Sequence, residues 1–478
     1  MKRTLTMTLS LLTMLSLASC HPTASSSSEG TNPGTPDKPA EPSQTQSVAD
    51  AKVLAAVKDA MTLSRDELMK KAAQELGNNQ VRVYAVTSRG GKSAALNKFK
   101  EELKKAGSTN ENPVVYKSTV DGKIYTILNG TIEAKNQDYD GAILQDGYQL
   151  QKKFIDTGYY TNYIPKEWAD DANSDKSAKD PFTLQYNFKT IMYNNKGLPD
   201  MKIDNVWDMV APKYKGKLFT MDPSNENVNM DWLITLTDSK WAGVLKKAYE
   251  DPTNDQKANL PLTEYESYGD LKYSYAFIAN FLNNAVFSAD DGKAVDDLAK
   301  TPGAVGWIVY SKIMNIKETD AISKKNIVIA ALGNENTDGA NPGDSKIKGF
   351  GGFMYKHYMS IMPNAKYPYA TCAFFNILST TKEGYTNWAT DVGDYPTMPS
   401  INKDRTKGGH GTLTASDSGY TFTQSNDAEN VFPCLNDPSS AWWNDSAKGN
   451  AVIEDPAFIG KAYNRVASFI QIRLANKK

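Results

Sequence analysis

The sequence predicts an α/β fold in which short strands alternate with amphipathic helices. Three observations predict it. A β-branched and aromatic run at Val81, Val83, Tyr84 and Val86 leads into a helix-periodic stretch over 92–106. The same order of strand, polar loop and helix returns over 217–236. Hydrophobic residues make up 40% of a 478-residue chain, enough for ordinary cores in two domains or more.

The chain opens with Lys2 and Arg3, an apolar run from Leu5 to Leu17, and the tetrapeptide Leu17-Ala18-Ser19-Cys20. A basic start, a short apolar stretch and small residues before a cleavage point read as a secretory signal, too short to span a bilayer. The tetrapeptide resembles a bacterial lipobox, which implies that residues 1–20 are removed and that Cys20 carries a lipid at the mature N-terminus. Residues 21–47 hold Ser25 to Ser28 and five prolines with almost no large apolar side chain, so they read as a disordered tether. The expected location is therefore outside the cytoplasm, anchored to the bacterial membrane. No later stretch is long and apolar enough to span.

In the folded part, Ser64 and Glu67 have capping-box spacing ahead of Leu68, Ala72 and Leu76, and Gly77 stops that helix. A strand at 81 and a helix over 92–106, with Leu96, Phe99, Leu103 and Ala106 as its stripe, come next. A strand at 112–118, a helix around 122–135, a strand at 140–146 and a helix carrying Leu150, Phe154 and Ile155 continue the alternation. Residues 182–197 form an extended run. Lys217 to Met221 read as a strand, Asp222 to Asn227 as a loop, and Met230, Leu233 and Ile234 lie on a helix. Residues 403–450 are rich in Gly, Ser, Asn and Asp, as in an extended loop or a surface insert. Phe458, Ala462, Val466, Phe469 and Ile470 form the core face of a closing helix.

The segment Ser88-Arg89-Gly90-Gly91-Lys92-Ser93 invites a P-loop reading, which fails because Val86 stands where that loop needs its first glycine. What remains is a helix N-terminus crowded by Ser88, Arg89, Gly91, Lys92 and Ser93, where free N–H groups and the macrodipole favour an anion. Capping of the helix is the structural alternative.

Net charge is −1, which gives no global field for nucleic acid, and no nucleic-acid partner is expected. After Cys20 only Cys372 and Cys434 remain, and an exported setting permits a disulfide between them. His21, His357 and His410 are the only histidines, so a multi-histidine metal site is not available, and neither a metal nor a cofactor is expected.

Five stretches, in order over residues 65–402, resemble type II solute-binding proteins of ABC importers. They are ELMKKAAQELGNNQVRVYAV, DGAILQDGYQLQKKFIDTGYYTNYIP, IMYNNKG with VWDMVAPKYKGKLFTMDPS, AVGWIVYSKI, and MPNAKYPYATCAFFNILSTTKEGYTNWATDVGDYPTMPSI. The resemblance implies a two-lobed periplasmic-binding-protein type II fold with crossing hinge strands. Lobe one would comprise 48–190 and 346–478, and lobe two 191–345. It further implies a monomer that captures a small ligand between its lobes by hinge closure and presents it to a membrane permease, with no bond made or broken. Ser88, Arg89, Gly91, Lys92 and Ser93 then become ligand contacts from lobe one, and Ser224, Asn225 and Asn227 contacts from lobe two. Gln145 and Asp146 at a strand end, and Tyr186 with Asn187 near the crossing, would hold hydroxyl or amino groups. Two helix N-termini beside Arg and Lys suit a phosphate, phosphonate or carboxylate.

The iron-binding branch of the family uses adjacent tyrosines after a second-domain strand. This chain has Tyr310 followed by Ser311, so only one of the pair is present, and a core role is the default for Tyr310. Polyamine binding would call for an acidic cleft, supported here only by Asp146. A secreted hydrolase using Ser88 or Ser93 with His357 or His410 lacks the Gly-x-Ser-x-Gly elbow. A surface adhesion or scaffold lipoprotein is the remaining alternative.

Overall fold

The computed structural model describes residues 47–119, 123–315, 326–330, 332, 348–388, 394–402, 411–416, 419–424 and 451–477. The signal peptide, Cys20, the tether, His410 and Cys434 lie outside the described residues.

The chain opens with α1 (Ala51–Ala60), whose Val53, Val57 and Ala60 are buried. Its buried Val53, Ala56, Val57 and Ala60 keep the helical period, but it has no capping-box signal like the one that marks α2. Helix α2 (Arg65–Leu76) carries the expected capping box between Ser64 and Glu67, and Gly77 ends it at φ +53°, where a side chain would be strained. Strands β1 (Val81–Ala85), β2 (Val114–Ser118) and β3 (Gly141–Leu144) alternate with α3 (Ser93–Lys105) and α4 (Lys123–Glu133). In parallel register, β1 pairs with β2 on one side and β3 on the other. The short helix α5 (Gly147–Leu150) passes into a π-helical turn over Gln151–Ile155, and α6 (Lys166–Asp170) buries Trp168.

The extended run expected at 182–197 is β4 (Thr183–Asn194), twelve residues that are all buried. The second half holds β5 (Leu218–Met221), α7 (Asn227–Thr235), α8 (Ser239–Glu250), α9 (Lys272–Asn284), β6 (Ala285–Ser288), α10 (Asp291–Lys300), β7 (Val305–Val309) and β8 (Ile327–Ile329). Strand β9 (Gly352–Ile361) returns antiparallel to β4 and also pairs with β3. After it come α11 (Pro368–Thr380), α12 (Lys382–Tyr385), β10 (Asp394–Pro396), β11 (Gly411–Ser416), β12 (Gly419–Gln424), β13 (Ala451–Ile453) and α13 (Pro456–Ala475). Strands β11 and β12 pair antiparallel with each other, and β12 adds to β8, so part of the segment read as a loop or insert extends the sheet.

Two hydrophobic clusters form. The first gathers Leu68, Val83, Phe99, Leu144, Phe154 and Phe375 around β1 and β3. The second gathers Trp207, Trp232, Phe277, Phe281, Trp307 and Phe350 around α7 and α9. Although the sequence reading placed 346–478 with lobe one, Ile459, Ala462 and Val466 of α13 belong to the second cluster, and α13 packs on α5, α7 and α9. Strands β4 and β9 contribute to both: Leu184, Phe188, Met354 and Tyr358 to the first, Ile191, Tyr193, Phe353 and Tyr355 to the second. Cys372 is a free, buried thiol of α11. Among the described residues no helix is long and apolar enough to cross a membrane.

The two shared strands approach so closely at Gly352 that a Cβ there would lie 2.2 Å from the Lys189 carbonyl oxygen and 2.4 Å from the Phe188 ring. Gly352→Ala is therefore expected to lower stability by about 1–3 kcal/mol, read as a shift in the urea midpoint. An unchanged midpoint would show that the strand pair can relax at this point.

Candidate functional site

Side-chain alternation along β4 sends Gln185, Asn187 and Lys189 to one face and Tyr186 to the other. Tyr186 donates to Asp175 Oδ2 at 2.8 Å and lies beneath the Lys356 ammonium, so the sheet separates it from Asn187. Sequence reasoning had named both as contacts. The period of two allows only one of them on the face that carries Lys189.

That face is lined by charge. The fully buried Lys189 ammonium donates to Asn229 Oδ1 at 2.9 Å and lies 3.4 Å from Asp291 Oδ2 and 3.9 Å from Glu226 Oε1. Glu226 and Asn229 share one side of the start of α7, three residues apart, which lets both face the same cation. Asn229 is fixed in turn by donating to Thr220 Oγ1 and to the Met221 carbonyl. Asp291 is fixed by accepting from the Val309 amide at the end of β7.

At the other end of the face, Arg89 Nη1 donates to Asp394 Oδ2 at 2.6 Å. Asp394 is 2% exposed and stands opposite Asn187 in the β10–β4 pairing. The Asn187 amide, turned so that its nitrogen faces Asp394, donates to Asp394 Oδ1 at 3.2 Å. Gln185 accepts from the Tyr385 hydroxyl at 2.8 Å and lies 3.2 Å from His357 Nδ1. Burial pushes the His357 ring down to about 3, with the nearby Arg89 charge acting in the same direction, so the ring is neutral at ordinary pH. Burial likewise holds the Tyr355 phenol well above its usual range, and Asp291, Glu226 and Asp394 add to the effect.

The other expected contacts divide. Gly90 and Gly91 lie against Tyr116, where a Cβ would come within 2.8 Å of its hydroxyl and 2.6 Å of its ring, so these glycines serve a close packing contact. Ser88, Lys92 and Ser93 are exposed, and α3 starts without a side-chain cap. Ser224 and Asn225 are exposed, with Ser224 and the Asn225 amide both engaged by Asp222. The Gln145 carbonyl accepts from the Tyr125 hydroxyl at 2.7 Å. Asp146 and Asn227 meet: Asn227 Nδ2 donates to Asp146 Oδ2 at 2.6 Å, joining the end of β3 to the start of α7. Asp146 adopts φ +81°, which costs about 1–2 kcal/mol in a non-glycine residue, and it caps α5 through the Gln149 amide. Tyr310 is fully buried in the first cluster, edge-on to Phe188 at 6.4 Å, in the core position taken as its default.

Lys189, Glu226, Asn229, Asp291 and Asp394 were not foreseen as contacts. Lys189 left one signal, a cation in the middle of an otherwise apolar and amide-bearing strand, since a buried lysine requires a partner. Asp394 left none, because it meets Arg89 across 305 residues of chain. Among the described residues no group of three or more His, Cys, Asp and Glu side chains is placed to hold a metal ion. Two grooves elsewhere, each of about 500 Å³, lie at the far ends of the strands beside Arg82 and Asp140 and beside Leu198 and Tyr214, away from this charge network.

No family model and no curated protein matches the sequence. Solved structures do. The chain is similar to the Trichodesmium protein IdiA (FutA) in complex with iron and citrate ligands, at 14% identity and a TM-score of 0.50 over 83% of this chain and 99% of that one. It is also similar to iron-bound HitA from Pseudomonas aeruginosa, at 11% identity and a TM-score of 0.50 over 82% and 99%. The fold is the two-lobed α/β fold of type II periplasmic binding proteins, with β4 and β9 as its crossing strands.

The depressed His357 titration makes a signed prediction. Above pH 6.5 the ring is neutral in both folded and unfolded chains and contributes nothing. As pH falls from 6.5 toward 3, only the unfolded chain takes up the proton, and stability is lost at up to about 1.4 kcal/mol per pH unit. Urea unfolding of His357→Gln and its parent should therefore differ by an amount that moves in favour of the variant as pH falls from 7 to 4. A constant difference would place the His357 titration in its ordinary range.

Proposed function

We propose that the chain is the extracytoplasmic solute-binding component of an ABC importer. Lipid-anchored through Cys20 and monomeric, it would hold a small ligand between two lobes built on the first and second hydrophobic clusters and deliver it to a permease. One observation carries the reading: polar groups from both hydrophobic clusters converge on the face of the strand pair that joins those clusters. Arg89 arrives from the β1 loop and Asp291 from α10, both on elements of the first cluster, while Glu226 and Asn229 arrive from α7 in the second. A ligand touching both groups at once gains binding energy only when the lobes are together, which is what drives hinge closure.

The ligand carries a phosphate, phosphonate or carboxylate. Its anionic group replaces Asp394 on the Arg89 guanidinium and draws on the uncapped start of α3 beside Lys92 and Ser93. Ferric ion is the second reading, favoured by the iron in both similar structures.

A thermal-shift screen separates these readings, since a ligand that prefers the folded state raises the melting temperature by mass action. Phosphorylated and carboxylated metabolites, ferric citrate, polyamines, thiamine and sugars form the panel. A shift with an anion that is lost in Arg89→Ala is the expected result. A shift with ferric iron or a polyamine alone would overturn the anion assignment, and no shift with any compound would favour a scaffold role.

A further inference from the structure

Three carboxyl groups converge where the first cluster meets the second, on the side of β9 facing away from Lys189. Asp146 follows β3, Asp231 lies four residues beyond Asn227 on the same side of α7, and Glu454 follows β13. Each is at most 1% exposed. Asp231 Oδ2 accepts from the Tyr148 amide at 3.3 Å, so α7 is tied to α5, and Asp231 Oδ1 is buried with no hydrogen-bond partner. Glu454 accepts from the Gly147 amide at 3.3 Å, from the Lys356 amide at 3.2 Å and from the Tyr358 hydroxyl at 2.5 Å. Asp146 accepts from Gln149 and Asn227.

The elements packed on this cluster bring it mostly neutral and acidic groups, and one cation acts directly on it. Helix α13 brings Tyr463, stacked on Tyr148 with ring centroids 3.4 Å apart, and β9 brings Tyr358. The cation is Lys356, whose charge acts on Glu454, while its ammonium stands over the Tyr186 ring. The Lys153 ammonium is taken up by Gln149 Oε1 at 2.6 Å. Three ionised carboxylates in one buried seam would repel at short range with little water to screen them. A proton relieves the repulsion and gives the orphaned Asp231 oxygen a bond to make.

We propose that Asp146, Asp231 and Glu454 form a proton-operated latch, which holds the lobes together while a proton is shared in the seam and releases them when the cluster ionises. The latch rests on the two-lobe hinge reading and adds a control that needs no ligand. Burial is the leading cause that pushes Asp231 well above the usual carboxylate range, with Asp146 and Glu454 adding to it, and it pushes Glu454 up to about 7. Carboxyl groups raised in this way favour the joined state at low pH. Between the ordinary carboxylate range and about pH 7 the joined state loses ground as pH rises, because it binds more protons than the separated state. Each titrating group can change the ratio of joined to separated molecules by up to about tenfold per pH unit.

The test places spin labels at the exposed Lys104→Cys and Lys246→Cys positions, one on α3 and one on α8, and measures their distance distribution in the ligand-free chain from pH 5 to 8. The latch predicts a short-distance population that falls about tenfold or more as pH rises, and Asp231→Asn or Glu454→Gln should flatten that response. A distribution that does not change with pH in the parent chain, which needs no cluster variant, overturns the latch. A pH response that persists unaltered in both variants overturns it as well. If inorganic phosphate or ferric citrate shortens the distance while pH does not, the latch fails and the importer reading stands. If neither moves the labels, both fail.

Discussion

The antiparallel pairing of β4 with β9 is the constraint on which the rest of the structure depends. Both strands are buried along their whole length and feed side chains into both hydrophobic clusters, so neither cluster is complete without them. A strand pair buried on both sides has no tolerance for an unpaired polar group. That requirement explains why Lys189 is surrounded by Asn229, Asp291 and Glu226, and why Gln185 and Asn187 are occupied by Tyr385, His357 and Asp394. The polar floor is thus the part of the molecule with the strictest hydrogen-bond accounting.

Charge on that floor is present in opposed pairs. Arg89 with Asp394 and Lys189 with Asp291 form separate ion pairs drawn from segments far apart in the chain. Buried pairs of this kind contribute little net stability, because desolvation cancels much of the attraction, but removing either partner leaves an uncompensated charge.

The fold was legible to the extent that it follows local chemistry. Ser64, Glu67 and Gly77 delimit α2, Phe99 and Leu103 mark the buried side of α3, and the run over 182–197 announced β4. The alanine-rich α1 was missed, and the hairpin of β11 and β12 was hidden within Gly- and Ser-rich sequence. Of the residues expected to touch a ligand, Arg89, Asp146, Asn187 and Asn227 take part in contacts linking separate segments, and Asp146 bonds to Asn227 directly. Asp394, Asp291 and Glu454 matter through partners that only the tertiary fold brings near. Tyr186 is a different case, since alternation along a strand already separates it from Asn187.

Ligand-dependent closure about the β4–β9 pair is the central claim, and small-angle scattering tests it most directly. With a compound identified by its thermal shift, the radius of gyration of the chain should fall on saturation and return when the ligand is removed, because closure brings two lobes together without changing their cores. An identical scattering curve with and without a bound ligand would contradict the account.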